Sequence, residues 1–273
     1  MLAAFLAIMM LLSSSSVLAF EEIYSEGYRS GVLNGLNLNI SDRGKTGVGH
    51  VMLGKNSTES GDLHMNFGLH KNPWVFKISD KNVYSRMQKY RDKPVVVAFR
   101  QKALIKPFES PADFSAHDVM SVDPKLKPNR LCKNTTSDKK IKGKRGVAEG
   151  RIVEASYQGN LKSTKTWELI IQLGDRSNAF VQMSTTSKEV YDCATEWLKS
   201  GEKVRIGYSE ALSNGKGRLT RYNVVELKPV PEGGVVDNFP RAAVNAGFKT
   251  KDLPPEIYKA PPASKAISRK AKQ

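Results

Sequence analysis

Cysteine is scarce in this chain: Cys132 and Cys193 are the two in 273 residues. That excludes a small disulfide-dense scaffold and every zinc site built on paired cysteines. Histidine is nearly as rare, with four: His50, His64, His70 and His117. His64 and His70 fall in a run that reads as a single strand, where they share a face but stand about 20 Å apart, so they cannot ligate one ion unless the segment folds back. No metal and no cofactor are expected.

Catalytic signatures are missing too. There is no nucleophile elbow and no phosphate-binding glycine loop. The stretch "GLNLNISDRGKTGVG" at 35–49 offers Gly, Lys and Thr, but the spacing is wrong and its flanks are strand-like. The clustered carboxylates and arginines that a nuclease needs do not gather at strand ends. Binding is therefore expected, and a hydrolase is the weaker alternative.

Long apolar runs are absent after the first dozen residues. The opening nineteen residues carry an apolar run from Leu2 to Leu12, four serines, and Val17 and Ala19 at cleavage spacing. This pattern reads as a secretory signal peptide, although no Lys or Arg precedes the run. As helix the run would rise about 16 Å, too short for a hydrocarbon core of about 30 Å. The mature chain is expected to be exported, periplasmic or secreted, without a transmembrane span. In an oxidising compartment Cys132 and Cys193 are expected to pair; two free thiols are the alternative.

Charge is abundant and uneven. The net charge is +16, of which residues 125–145 hold +8 and residues 249–273 hold +5. Both segments are rich in Lys, Pro, Ser, Thr and Asn and lack apolar periodicity, so they read as a Lys-rich linker (109–146) and a flexible tail (230–273). Such segments touch anionic polymers, whether glycan, lipopolysaccharide or nucleic acid, without selecting among them.

Two stretches repeat one another. "KNVYSRMQKYRDKPVVVAF" at 81–99 lies over "KEVYDCATEWLKSGEKVRIGY" at 188–208: Val83 and Tyr84 match Val190 and Tyr191, and Tyr90 matches Trp197. Each follows a strand-like run, "WVFKIS" or "AFVQMS", and starts near a cap, Asp80 in the first and Thr186 with Glu189 as a capping box in the second. An order of strand, capped helix and strand occurring twice implies a duplicated domain.

The second copy reads as three strands, a helix and two strands. This order resembles the OB-fold, a five-stranded barrel, over residues 147–229. A first, degenerate copy is placed at 27–108, with an insertion or extended hairpin before Trp74; an SH3-like barrel and an irregular sandwich are also compatible with it. The expected class is thus mainly β, two small OB-like barrels after a signal peptide.

The OB resemblance implies a ligand face on the second and third strands. In "TWELIIQL" the alternation sends Trp167, Leu169, Ile171 and Leu173 inward and leaves Glu168, Ile170 and Gln172 outward; Phe180 and Gln182 join them from the next strand. That face, with an acid in its middle, suits a protein or glycan partner, unless the other barrel or the tail covers Ile170 and Phe180. The loops that grip ligands in OB-folds carry Lys162, Lys165, Lys216 and Arg218, with Arg221 following, which keeps a nucleic acid or anionic glycan as the alternative. The leading expectation is a non-enzymatic adaptor of a bacterial envelope or secretion assembly, bound to an envelope protein partner.

Overall fold

The computed structural model describes residues 23–41, 44–55, 61–65, 68–102, 114–128, 130–134, 143–158, 166–174, 179–211 and 220–231. The expected signal peptide, most of the tail, and Lys162, Lys165, Lys216 and Arg218 lie outside them. The described elements run β1 (Ile23–Ser41), β2 (Gly44–Leu53), β3 (Gly61–Met65), β4 (Gly68–Asn72), β5 (Trp74–Ile78), α1 (Lys81–Gln88), β6 (Pro94–Lys102) and β7 (Phe114–Ser121). After these come β8 (Cys132–Lys133), β9 (Gly143–Gln158), β10 (Trp167–Leu173), β11 (Phe180–Thr185), α2 (Lys188–Ser200), β12 (Val204–Ala211) and β13 (Tyr222–Pro229).

Two closed circuits share one sheet. The first runs β1-β2-β5-β7-β6 and back to β1; the second runs β9-β10-β11-β13-β12 and back to β9. In each, the third and fifth strands pair in parallel (β5 with β7, β11 with β13) and all other pairs are antiparallel. A helix lies between the third and fourth strands of each. This is an OB-like order.

The two circuits repeat in register as well as in order. Leu33 opposes Val51 and Gly35 opposes His50, leaving Asn34 as a bulge; Ile152 opposes Ile171 and Glu154 opposes Ile170, leaving Val153 in the same place. A bulge sharpens local twist, which lets one long strand bend around a barrel and pair on both sides. Each second strand then ends at a glycine in the left-handed region, Gly54 (φ 78°) and Gly174 (φ 59°). On this equivalence Gly35 matches Glu154, His50 matches Ile170 and Leu38 matches Tyr157.

The helices close the barrels through their apolar faces. Asp80 caps α1, its Oδ1 accepting from the Asn82 amide at 2.7 Å, and Val83 and Met87 turn into the first core. In α2 the cap is Ser187, whose Oγ accepts from the Val190 amide at 3.3 Å. Thr186, expected as the cap, instead accepts a hydrogen bond from the Asn134 side chain at 3.5 Å. Val190, Ala194, Trp197 and Leu198 are buried along one stripe of α2, and Gly201 ends it at φ 66°.

Three expected boundaries move. The stretch 109–146 is more than a linker: it supplies β7, β8 and the start of β9. Strand β7, "FSAHDVMS", escapes a period-two reading because a register shift between Ala98 and Phe99 puts two residues between its buried Ala116 and Val119. Strand β9 begins at Gly143, where Lys144 and Arg145 disguise it as linker. The insertion before Trp74 is the hairpin β3–β4, which pairs Leu63 with His70 and His64 with Leu69. The segment holding His64 and His70 therefore folds back and is not one strand.

The circuits are joined by more than the chain. Residues Ser25–Arg29 of β1 pair antiparallel with Glu154–Gln158 of β9. Gly27 permits this approach, since a Cβ there would lie 2.2 Å from the Ala155 carbonyl oxygen. A second seam runs from the end of β7 to α2, where the Asp123 amide donates to the Lys199 carbonyl at 3.0 Å and the Lys199 ammonium lies 4.9 Å from the Tyr28 ring centroid. Cys132 and Cys193 are bonded, tying β8 to the buried side of α2.

Candidate ligand faces of the two barrels

The face expected to bind a partner is covered. Glu168, Ile170, Gln172 and Phe180 are all buried, and Ile170 and Phe180, with Val153, belong to the hydrophobic cluster of the first barrel, beside Leu33, Val51 and Leu53. Gln172 is held at both ends by one residue: its Oε1 accepts from the Lys55 amide at 2.9 Å and its Nε2 donates to the Lys55 carbonyl at 2.8 Å. Gln182 is half-buried and donates to Glu168 at 3.3 Å. The alternation placed these side chains on the right side of the strand, but the other barrel occupies that side. They form an internal seam and not a docking surface.

The seam has a charged centre. Arg29 is fully buried, with its guanidinium carbon 4.4 Å from the Phe114 ring centroid, 4.6 Å from Trp74 and 5.0 Å from Phe99. Its Nε reaches Glu154 of β9 at 2.7 Å, and Ser156 donates a hydrogen bond to the same carboxylate at 2.9 Å. Burial pulls the Arg29 pKa down, and the charge and hydrogen bond of Glu154 push it back up. A guanidinium does not deprotonate in proteins, so the charge is stabilised by its partner and by the ring faces around it.

Of the basic residues expected on the gripping loops, Arg221 is described. It is exposed, pairs with Glu210 at 3.1 Å and lies over the Tyr222 ring at 5.4 Å. The Glu210 pair offsets its charge locally. Asn134 is 1% exposed, and its backbone amide donates to the Val225 carbonyl at 2.8 Å. Among the described residues no group of three or more His, Cys, Asp or Glu could hold a metal. No helix among them is long and apolar enough to cross a membrane.

The matching face of the first barrel is open. There β2 and β5 pair Val48 with Lys77 and His50 with Val75. Val75 is 40% exposed, Lys77 is exposed, and Val48, His50 and Met52 are half-buried. Asn37, opposite Val48, extends the face onto β1. Where the second barrel has Glu154 and Glu168, this face has Gly35 and Val48. His50 packs over Gly35, where a Cβ would lie 3.1 Å from its own. The face is hard to see in the sequence because β1 and β2, rich in Gly and Asn, do not alternate cleanly between apolar and polar residues. The signal that finds it is the register match to the covered copy.

No family model matches the chain, and no curated protein matches it. Solved structures do. A deletion mutant of the single-stranded DNA binding protein from Thermus aquaticus aligns at 10% identity over 80% of this chain and 97% of that one, with a TM-score of 0.22. A replication protein A heterotrimer bound to single-stranded DNA aligns at 9% identity over 81% of this chain and 52% of that one, with a TM-score of 0.23. At such TM-scores the chains do not superpose as wholes, so the OB-like assignment rests on the strand order and pairing described above.

Proposed function

We propose that this protein is a non-catalytic, exported binder of single-stranded nucleic acid, built from two duplicated OB-like domains and presenting its ligand face on β2 and β5 of the first. One observation carries the reading. The same OB-like face occurs twice, and the copy with Gly35 and Val48 in the places of Glu154 and Glu168, flanked by Lys77 and floored by His50, Met52 and Val75, is the more exposed of the two. An anionic strand needs a cation to hold phosphate and uncharged surface for its bases. The covered copy lends its face to holding the barrels together and supplies rigidity instead.

The net charge of +16 adds long-range attraction for a polyanion. The Cys132–Cys193 disulfide fits an oxidising compartment and so supports export. An envelope adaptor working through Glu168, Ile170, Gln172, Phe180 and Gln182 loses its surface, because those side chains are spent on the seam between the barrels.

The test is a salt series of binding to a labelled single-stranded oligonucleotide by the mature chain, with Lys77→Glu and Val75→Asp beside it and heparin as competitor. Both variants are expected to weaken binding, and Lys77→Glu to lower the slope of log affinity against log salt by about 0.7. Unchanged affinity in both would sink this reading. Complete displacement by heparin would assign the affinity to the basic segments outside the barrels.

A further inference from the structure

The first barrel has a cavity where the second has a tryptophan. In the second barrel Tyr157 faces Trp167 across β9–β10, and the indole stacks on Tyr191 of α2 with centroids 5.7 Å apart and planes 25° apart. The matching residues of the first barrel are Leu38, which faces Gly47 across β1–β2, and Tyr84 of α1. Tyr84 and Tyr191 hold the same helical place, each donating its amide to the carbonyl of the N-cap residue. The platform is kept while the ring upon it is deleted.

What remains is a cavity of about 290 Å³ lined by Leu38, Gly47, Ile78 and Tyr84, with Asp80 and Lys81 at its rim. Tyr84 leans toward the strand, so that a Cβ on Gly47 would lie 2.5 Å from its Cδ2. Leu38 stands 46% exposed on the other side, an apolar wall. Gly47 and Ile78 adjoin Val48 and Lys77 in the chain and, by strand alternation, face the helix side, so the cavity lies around the end of the barrel from the open face.

We infer that this slot takes one nucleobase of the bound strand, stacked on Tyr84 in the manner in which Trp167 stacks on Tyr191. The inference rests on the nucleic-acid reading above and deepens it. A base matches the missing indole in planarity and apolar faces. It also brings edge donors and acceptors that the Asp80 carboxylate and the Lys81 ammonium at the rim can meet. Stacking on an aromatic side chain is sequence-tolerant, because every base has a π-face.

The experiment compares a labelled single-stranded oligonucleotide with an abasic strand of the same length, both titrated into the full mature chain. The native protein is expected to prefer the base-bearing strand by about tenfold or more. Tyr84→Ala should cut that preference several-fold through lost affinity for the base-bearing strand, and Tyr84→Phe should keep it. Leu38→Trp, at an exposed lining position, should fill the slot with an indole and give the Tyr84→Ala result by another route. It also serves as the control if Tyr84→Ala fails to fold. Equal binding of both strands by the native protein overturns the slot, as does a preference undiminished by both Tyr84→Ala and Leu38→Trp. If Lys77→Glu still weakens binding in either case, the open face stands without the slot; if neither strand binds at all, both readings fall together.

Discussion

Arg29 of the first barrel and Glu154 of the second form a 2.7 Å ion pair at the centre of their joint, with the guanidinium enclosed by Trp74, Phe99 and Phe114. Each charge is buried and each depends on the other. Glu154→Leu or Arg29→Met is expected to destabilise by about 3–5 kcal/mol, because one unpaired charge would stay buried. The double variant Arg29→Met with Glu154→Leu should cost less than the two single changes added together. Urea unfolding of the four proteins checks this, and simple additivity would show that the pair does not act as a unit.

The two left-handed glycines at equivalent positions should respond unequally. A side chain at Gly174 meets nothing within 4 Å, so Gly174→Ala costs only the backbone term, about 1 kcal/mol. At Gly54 a Cβ would lie 2.5 Å from the Gln172 Oε1, so Gly54→Ala adds a steric conflict at the Lys55–Gln172 clamp. The expected loss there is about 2–3 kcal/mol, read from melting temperatures measured side by side.

Reduction should weaken the second barrel. The disulfide closes a loop across a sequence separation of 61. Chain entropy then assigns it about 4 kcal/mol through restriction of the unfolded state. Cys132→Ser with Cys193→Ser is expected to lower the unfolding midpoint strongly with the native fold retained, and adding reductant to the native protein should reproduce the shift. A midpoint unmoved by either treatment contradicts this account.

Tyr191 gives the molecule an alkaline limit. Burial pushes its phenol up to about 12, against an ordinary value of 10.0. A phenol harder to ionise when folded contributes stability that is complete below pH 10 and is lost as pH rises through about 12. Ultraviolet titration of the native protein should show one tyrosine ionising late, and Trp167→Ala, which strips the stacked indole from it, should bring that transition down.

The repeated order of strand, capped helix and strand was legible because "KNVY" and "KEVY" keep cap, periodicity and the following alternation in agreement. The second barrel's strand faces were legible for the same reason: Leu169, Ile171 and Met183 point into its core and Ile170 and Phe180 point away. What lies against the outward side was not, since burial by another domain leaves no periodic trace in the strand that is buried. Arg29 shows the converse. A lone arginine among serine, tyrosine and glycine reads as a solvated strand position, and only the three rings brought from Trp74, Phe99 and Phe114 make it part of a core. The slot beside Tyr84 stayed hidden because its signal is a residue that is missing, Gly47 in the place of a tryptophan.

The joint between the barrels also bears on pairing between molecules. Strands β1 and β9 meet through unlike halves, the leading half of one against the trailing half of the other. Such head-to-tail pairing between two copies of one fold has no built-in stop, and repeated from molecule to molecule it would generate a fibre. The sequence supplies the stop. At the places in β9 and β1 that match Arg29 and Glu154 stand Ala148 and Gly35, so a neighbouring molecule offered the same embrace would find neither the cation nor the carboxylate that seals it. The charge pair that seals the joint within one chain is therefore not on offer to a second.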